Sequence, residues 1–188
     1  MESKNRQQAG ERLIRIVSFT LIVSVMSATM FNIVLPEIRD EYQLTFAQVS
    51  WVSVGYMLIY AIGSVVYGKL ADMYKLKNLL TVGLSIFAFG SIIGLAAQTY
   101  WMVLWGRVFQ SMGASVIPAA AMLIPVRYFS PERRGRALGI AATGLALGSA
   151  LGPIVSALFA SLFHWRWFFC IPLLTLLTLP LYRKYLDD

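Results

Sequence analysis

The chain has 188 residues, of which 58% are hydrophobic and only 13% are charged, and its mean hydropathy is +0.67. Soluble domains carry about 25% charged residues, so this composition excludes a water-soluble globular domain. The net charge of +7 does not indicate a nucleic-acid partner, because the basic residues fall in short clusters between apolar runs. The single cysteine, Cys170, excludes an internal disulfide framework and a thiolate metal site.

Six apolar runs are long enough to cross the hydrocarbon core of a bilayer, which takes about 20 helical residues. Each run should be helical, because a backbone that faces lipid must satisfy its own hydrogen bonds. In chain order the predicted spans are Leu13–Leu35, Ala47–Tyr67, Leu79–Ala97, Trp101–Val126, Ala137–Phe163 and Trp167–Tyr182. The predicted organisation is therefore a tail at 1–12, a six-helix bundle at 13–182 and a second tail at 183–188.

The distribution of lysine and arginine orients these spans. Thirteen basic residues lie before the first span or in its first turn, in the second and fourth connections or after the sixth span, whereas the opposite side carries only Arg39 and Arg166. The positive-inside rule therefore predicts that both termini are cytoplasmic, in a multi-pass protein of a cell membrane. The first span is too long for the apolar part of a signal peptide, so we expect it to be retained.

The outer end of the first span carries the polar residue Asn32, and Glu37 follows at its outer mouth. All nine acidic residues of the chain lie in loops, tails or span ends. Proton exchange needs a group whose protonation changes during the cycle, usually a carboxylate buried in the membrane. Glu37 is the nearest candidate for the coupling acid on the outer side, and Asp72 lies at the inner side. Otherwise the coupling acid is expected to lie elsewhere.

The second connection has the sequence Gly68-Lys69-Leu70-Ala71-Asp72-Met73-Tyr74-Lys75-Leu76-Lys77. Gly68 lets the chain leave a helix, Asp72 can hold a helix N-terminus or a cation, and Lys75 and Lys77 face the cytoplasm. We therefore expect a cytoplasmic gating loop. The segment resembles the G-x-L-a-D-r-x-G-r-k loop of the major facilitator superfamily, with Lys75 in place of the second glycine.

Arg107 is the one charge deep inside an apolar run, about 9 Å from the start of the fourth span. A guanidinium near the bilayer centre costs roughly 2.5–3.5 kcal/mol, so it is usually kept because it faces a polar cavity. Gln110 lies one turn further along the same face, and Asn32 should reach a similar depth. These three residues predict a polar cluster that lines a cavity. The alternative is that Arg107 is an anchor that snorkels to the outer interface.

The fourth span resembles the R-x-x-Q-G-x-G-A motif of the same superfamily. Arg107, Gln110, Gly113 and Ala114 match that motif, and Ser111 replaces a glycine. The resemblance implies that Arg107 takes part in proton handling.

Three glycines recur every four residues in the fifth span: Gly144, Gly148 and Gly152. They form one face of a helix, which a neighbouring helix can approach closely. Pro153 frees a backbone carbonyl and bends the helix. The run resembles the G-x-x-x-G-P-x-x-G-G motif of drug–proton antiporters, with Ser156 and Ala157 in place of the last two glycines. The resemblance implies a bend that seals the pathway on one side and favours exchange.

Aromatic residues cluster beside the only histidine before the sixth span. His164, Trp165 and Trp167, with Trp101 on the same outer side, predict a belt at the membrane interface. The end of the first span and the Trp165-Arg166-Trp167 sequence are similar to the fourteen-span branch of multidrug and tetracycline exporters of Gram-positive bacteria. Many relatives in that branch have an aspartate where this chain has Ser27.

The resemblance implies an all-α polytopic membrane protein of the bacterial plasma membrane. Its six helices would form one half of a major facilitator fold, as two inverted three-helix repeats. Such a half-length chain would export drugs or other amphipathic small molecules, cations among them, in exchange for protons by alternating access.

The expected partners are membrane lipid, the substrate, protons, and a second six-span half or a second copy of the chain. No cofactor or metal is expected. The alternative is a truncated, non-transporting membrane protein or an assembly partner of a full-length exporter. An enzyme is not expected, because the sequence offers no nucleophile–base pair, metal cluster or phosphate loop.

Overall fold

A computed structural model describes residues 2–186 of the chain. The elements in chain order are α1 (Glu2–Tyr42), α2 (Phe46–Met73), α3 (Leu76–Leu95), α4 (Tyr100–Ala114), α5 (Val116–Tyr128), α6 (Pro131–Ala160), a 3₁₀ helix (Trp165–Thr178) and α7 (Leu179–Tyr185). Six stretches are long and apolar enough to cross a membrane, namely α1, α2, α3, α4 with α5, α6, and the 3₁₀ helix with α7. The predicted all-α protein with six spans is confirmed.

The second span begins at a capping box that its sequence encodes. Thr45 Oγ1 accepts a hydrogen bond from Gln48 N at 3.2 Å, and Gln48 Oε1 accepts one from Thr45 N at 2.9 Å. Gln43, with φ of 52°, makes the preceding turn in the left-handed region. These features separate α1 from α2 by only a few residues, so the two helices run in opposite directions.

The fourth span is interrupted, although the sequence predicts one unbroken helix. Pro118 has no backbone N–H, and its ring crowds the carbonyl of the residue four positions earlier, Ala114. The first helix of the span ends at Ala114, and α5 starts at Val116. Ser115 joins them and still donates its backbone N–H to Ser111 O at 3.1 Å. The break is therefore local, and the span continues in the same direction.

The sixth span is mostly a 3₁₀ helix of 14 residues, with Pro172 inside it. A 3₁₀ helix rises about 2.0 Å per residue, so this segment alone covers about 28 Å. The predicted span of Trp167–Tyr182 would cover only about 24 Å as an α-helix. The tighter winding lets a short apolar run cross a hydrocarbon core of about 30 Å.

Both predicted tails continue helices of the bundle. Residues 2–12 belong to α1, which has 41 residues, and Arg183 and Lys184 lie in α7. Arg12 Nη1 donates a hydrogen bond to Tyr185 Oη at 3.0 Å, so the two helix ends meet on one face of the bundle. The last two residues of the predicted tail at 183–188 lie outside the described residues.

The packing of the spans has the symmetry of two three-helix repeats. The first span packs against the fifth and sixth, and the fourth packs against the second and third. The third span contacts the sixth, and the first contacts the fourth. This pattern is unchanged when spans one to three are exchanged with spans four to six, as expected for inverted repeats.

Candidate functional site

A buried polar layer separates two apolar clusters at mid-height in the bundle. Along α1, one cluster holds Leu13 to Leu21 and the other begins at Met30. Along α4, Val103 belongs to the cluster that contains Met30, and Ala114 belongs to the cluster that contains Leu13. The residues between the clusters include Ser24, Ser27, Ser91, Arg107, Gln110 and Ser111, all of which are buried. The bundle therefore carries a layer of buried polar groups at mid-height, between its two apolar clusters.

Arg107 and Gln110 lie in direct contact, as the sequence predicts. The Arg107 side chain is 1% exposed, and its Nη1 donates to Gln110 Oε1 at 3.1 Å. Gln110 Nε2 donates in turn to Ser91 Oγ at 3.0 Å, and Ser91 Oγ donates to Phe87 O at 2.8 Å. This chain of hydrogen bonds ties α4 to α3 and holds the guanidinium at one depth.

Two aromatic rings also hold the Arg107 guanidinium. Its Cζ lies 4.0 Å from the centroid of the Tyr56 ring in α2 and 4.3 Å from that of the Phe31 ring in α1. A desolvated cation–π contact contributes about 2 kcal/mol or more. These contacts fix the side chain inside the bundle, so the alternative in which Arg107 snorkels to the outer interface is wrong.

A cavity of about 350 Å³ opens beside this guanidinium. Its walls come from α1, α2, α4 and α6, through Ser24, Val25, Ala28, Thr29, Asn32, Ser53, Tyr56, Met57, Tyr60, Arg107 and Leu145. The volume is within the range of about 300–1,000 Å³ that is typical of small-molecule pockets. Arg107 is the one charged residue in this lining, which contains no carboxylate among the described residues.

Asn32 lines the same cavity as Arg107 but makes no hydrogen bond to it among the described residues. Its Oδ1 accepts a hydrogen bond from Ser53 Oγ at 2.7 Å, which joins α1 to α2. Gln110 lies behind Arg107 and takes no part in the lining. Glu37 is exposed in the last two turns of α1 and also lies outside the lining. The structure thus brings Arg107, Gln110 and Asn32 together around one site and leaves Glu37 apart.

The predicted gating segment is mostly helical, which corrects the expected loop. Gly68 does not let the chain leave the helix, because α2 continues through Gly68 and Asp72 to Met73. The hydrogen bond from Tyr74 N to Leu70 O at 2.8 Å closes its last turn. Lys75 precedes α3 in extended conformation. Lys77 lies in the first turn of α3.

Arg127, rather than Asp72, joins α2 to its neighbour at this end. Its Nη2 donates to Ala71 O at 2.8 Å, in the last turn of α2, where carbonyls lack helical partners. Asp72 is exposed and makes no ion pair within residues 2–186. The contact of Arg127 was missed in the sequence, where this residue is one of four arginines in a basic connection.

The glycine face of α6 packs closely against α1, as its spacing predicts. A Cβ added at Gly144 would lie 2.6 Å from Ser18 Oγ, and one at Gly148 would lie 2.9 Å from Ile22 O. A Cβ at Gly152 would collide with Thr29.

The residues after this glycine face divide between the contact and the surface. Ser156 is buried, and its Oγ donates to Met30 O at 3.1 Å, so it preserves the close contact with α1. Ala157 is exposed and does not take part in that contact. Pro153 faces away from α1, and α6 runs without a break from Pro131 to Ala160.

A second seam of glycines joins α3 to α4, and sequence analysis missed it. A Cβ at Gly90 would lie 2.5 Å from Gln110 N and 2.7 Å from Gly106 O. At Gly113 it would collide with the backbone of Gly83 and Phe87. Glycines seven residues apart in each helix were the available signal, since that spacing keeps them on one face.

A polar cluster ties the C-terminal end of the first span to the N-terminal end of the sixth. Glu41 Oε2 accepts a hydrogen bond from Trp165 Nε1 at 2.6 Å and lies 3.0 Å from His164 Nε2. Its Oε1 pairs with Arg166 Nη2 at 2.8 Å, and Arg166 Nε donates to Ala97 O at 2.8 Å. Trp165 is 1% exposed, so the predicted interfacial belt is wrong for this residue.

The sequence matches the profile of the Major Facilitator Superfamily over residues 17–187. The chain belongs to this superfamily. It is 28% identical over 156 residues to the riboflavin transporter RibZ of Clostridioides difficile, covering 83% of this chain and 34% of that protein. It is 29% identical over 174 residues to multidrug resistance protein 3 of Bacillus subtilis, covering 91% and 33%. The methylenomycin A resistance protein of the same organism is 25% identical over 169 residues, with 89% and 36% covered.

A solved transporter structure has the same fold. A bacterial homologue of the human lysosomal transporter Spinster, in an inward-facing occupied conformation, superposes with a TM-score of 0.81 at 16% identity, covering 93% of this chain and 44% of that one. The chain spans about a third of the length of the curated relatives it matches. The superfamily and the names of these relatives indicate a transporter rather than an enzyme.

Proposed function

We propose that this chain forms one half of a carrier that moves amphipathic small molecules across a membrane by alternating access. The observation that carries the proposal is the mid-height cavity, in which a buried guanidinium faces space lined by both polar and aromatic groups. A buried ionisable group of this kind usually marks a pathway. Relatives named for riboflavin transport and for drug resistance support a small organic substrate.

The second half of the carrier would cover the faces of α2 and α6. Only 17% of the most apolar part of α2 and 22% of that of α6 are buried, against 67% for the fourth span. Both helices also border the cavity, through Tyr56 and Leu145. A second six-span half, or a second copy of this chain, would therefore close the open side of the site.

The coupling to protons and the direction of export are further parts of the proposal. They rest on the resemblance to the fourteen-span drug exporters, in a bacterial plasma membrane with both termini cytoplasmic. The described residues that line the cavity include no carboxylate, so the proton-exchanging acid would lie in the second half or at Glu37. The Arg107 cation would shift the proton affinity of an acid that approached it.

The motif residues take structural roles in this proposal. Close packing of α6 on α1 through Gly144, Gly148 and Gly152 lets the first and fifth spans move as one body. Pro153, on the opposite face, would meet the second half and contribute to the seal. Asp72, exposed at the end of α2, would pair with a basic group of that half when the inner side closes.

Transport can be tested in proteoliposomes that contain the chain alone or together with the carboxy-terminal half of a related exporter. A trapped pH-sensitive dye would report proton movement when riboflavin or a resistance substrate is added. Substrate-dependent proton flux that disappears in Arg107→Ala but persists in Arg15→Gln supports the proposal, since Arg15 is exposed on α1. No flux with or without a second half would favour the alternative, a non-transporting assembly partner.

A further inference from the structure

We propose that the cavity takes a planar aromatic anion, whose carboxylate or other oxyanion binds beside Arg107 and whose ring lies along Tyr56 and Tyr60. This inference names the substrate class of the site and rests on the proposed function. It departs from the expectation that cations are among the cargo.

The charge of the cavity favours an anionic ligand. Arg107 is 1% exposed, and its hydrogen-bond partner among the described residues is the neutral amide of Gln110. The described lining residues include no carboxylate that would balance it. Removing an ion from water without a counterion costs several kcal/mol in a protein interior. An anion in the cavity would supply the missing charge, whereas a cationic drug would be repelled there.

A hydrogen-bond donor of Arg107 without an acceptor also favours an anionic ligand. The Arg107 Nε is buried and has no hydrogen-bond partner among the described residues. Buried N–H groups almost always have an acceptor, so an unpaired one on a cavity-lining residue points to a ligand. The guanidinium fork matches the two oxygens of a carboxylate, and such charge-assisted pairs are about twice as strong as neutral ones.

Asn32 offers a second donor to the same ligand. Because Asn32 Oδ1 already accepts from Ser53 Oγ at 2.7 Å, the amide NH₂ of Asn32 is the group left for a bound molecule. Arg107 and Asn32 thus both present donors to the cavity. A ligand rich in acceptors complements them, and an ammonium group does not.

The aromatic wall selects a flat ring. Tyr56 and Tyr60 lie one turn apart on α2, and their rings are nearly parallel, with centroids 6.0 Å apart and 15° between the planes. Met57 lies between them in the chain and also lines the cavity. Rings pack on such surfaces in offset or edge-on geometry, and methionine adapts to irregular shapes. The wall therefore suits a planar apolar body attached to the anionic group.

Three probes with one ring system and different charge test the inference. Binding of 2-naphthoate, 2-naphthamide and 2-naphthylmethylammonium to the purified full chain in lipid nanodiscs would be measured by fluorescence. We expect naphthoate to bind at least tenfold more tightly than the ammonium probe, with the amide between them. In Arg107→Gln the affinity for naphthoate should fall at least tenfold, while that for the ammonium probe should not fall.

Two further variants keep the test decisive. Arg15→Gln removes an equal charge from an exposed position of α1 and should leave all three affinities unchanged. Asn32→Asp puts a carboxylate on an exposed cavity residue, keeps the acceptor for Ser53, and should weaken naphthoate and strengthen the ammonium probe. This variant decides the matter if Arg107→Gln does not fold.

Weaker binding of naphthoate than of the ammonium probe, no binding of naphthoate, or an unchanged naphthoate affinity in folded Arg107→Gln overturns the inference. Transport of a cationic drug by this chain together with any of these results would leave the proposed function standing and remove only the substrate class. Binding of naphthoate without substrate flux would support the substrate class and count against the proposed function.

Discussion

The Ser111 hydroxyl donates a hydrogen bond to the backbone carbonyl of Tyr56 at 2.5 Å. This contact ties α4 to α2 one turn along from Arg107, whose guanidinium lies on the Tyr56 ring. Ser111 stands where the superfamily motif has a glycine, so the replacement adds a hydrogen bond that glycine could not make. The ring that stacks on the central cation is thereby fixed through its own backbone.

Ser111→Ala should destabilise the protein by about 1 kcal/mol, because the variant loses one buried hydrogen bond. The Tyr56 carbonyl belongs to a helix and is not stranded by this change. The loss should appear as a lower thermal transition in detergent, with weaker binding of an aromatic probe. Ser85→Ala is the control, since Ser85 is exposed on α3. An equal shift in both variants would contradict a specific role for the Ser111 contact.

Gly148→Leu should disrupt the packing of α6 on α1. Even a Cβ at this position would lie 2.9 Å from Ile22 O, and a larger side chain has no room. Overpacking costs typically about 1–3 kcal/mol and more when backbone must move. Thermal unfolding and the yield of monodisperse protein measure the effect.

Gly139→Leu provides the matched control for this seam, because nothing lies within 4 Å of a Cβ at Gly139 in the same helix. This variant should behave like the wild type. Similar stability of Gly148→Leu and the wild type would show that the two helices are not in close contact.

Glu41→Gln should loosen the contact between the C-terminal end of the first span and the N-terminal end of the sixth. The glutamine keeps an acceptor for Trp165 but loses the charge that pairs with Arg166. Both side chains are about a third exposed, which screens the pair, so we expect a loss of about 1 kcal/mol. Hydrogen exchange of the segment that follows His164 should accelerate.

Asp40→Asn removes a neighbouring exposed carboxylate that makes no ion pair among the described residues. It should leave exchange in that segment unchanged. Equal exchange in the Glu41 and Asp40 variants would mean that the cluster does not hold the two spans together.

Arg107→Lys should impair transport even though it keeps the positive charge. Lysine is a point charge and cannot reproduce the planar stacking between Phe31 and Tyr56 together with the bond to Gln110. Transport in proteoliposomes should fall at least tenfold, while membrane insertion and expression remain near the wild-type level. Full transport by the lysine variant would show that charge alone is sufficient at this position.

Much of the fold follows from composition alone, because lipid leaves the backbone few choices. Apolar runs of sufficient length must be helices, so all six spans were predictable, although α1 begins at Glu2 rather than at the predicted Leu13. The glycine face of α6 was equally visible, since a four-residue repeat lies on one side of a helix. The structure departs from the predicted α-helices in two places. Pro118 interrupts the fourth span, and main-chain hydrogen bonding of the 3₁₀ type winds most of the sixth span more tightly.

The candidate site was only partly visible in the sequence. Arg107 stood out because an intramembrane charge is costly, and Gln110 lies one helical turn away. Phe31, Tyr56 and Ser91 could not be singled out, because aromatic and small polar residues are common in membrane helices. Their roles depend on which helix faces which, and hydropathy does not encode that.

By itself, then, the sequence determined the number of spans, their helical character, the asymmetry of charge and the presence of one buried cation. The tertiary structure decided what surrounds that cation within residues 2–186: two rings, an amide, an N–H group without an acceptor and a cavity whose lining has no carboxylate. The physical reason is the distance along the chain between the residues that interact. Burial and helix formation depend on neighbouring residues, whereas the balance of charge in a cavity depends on side chains from four helices that meet only in the folded bundle.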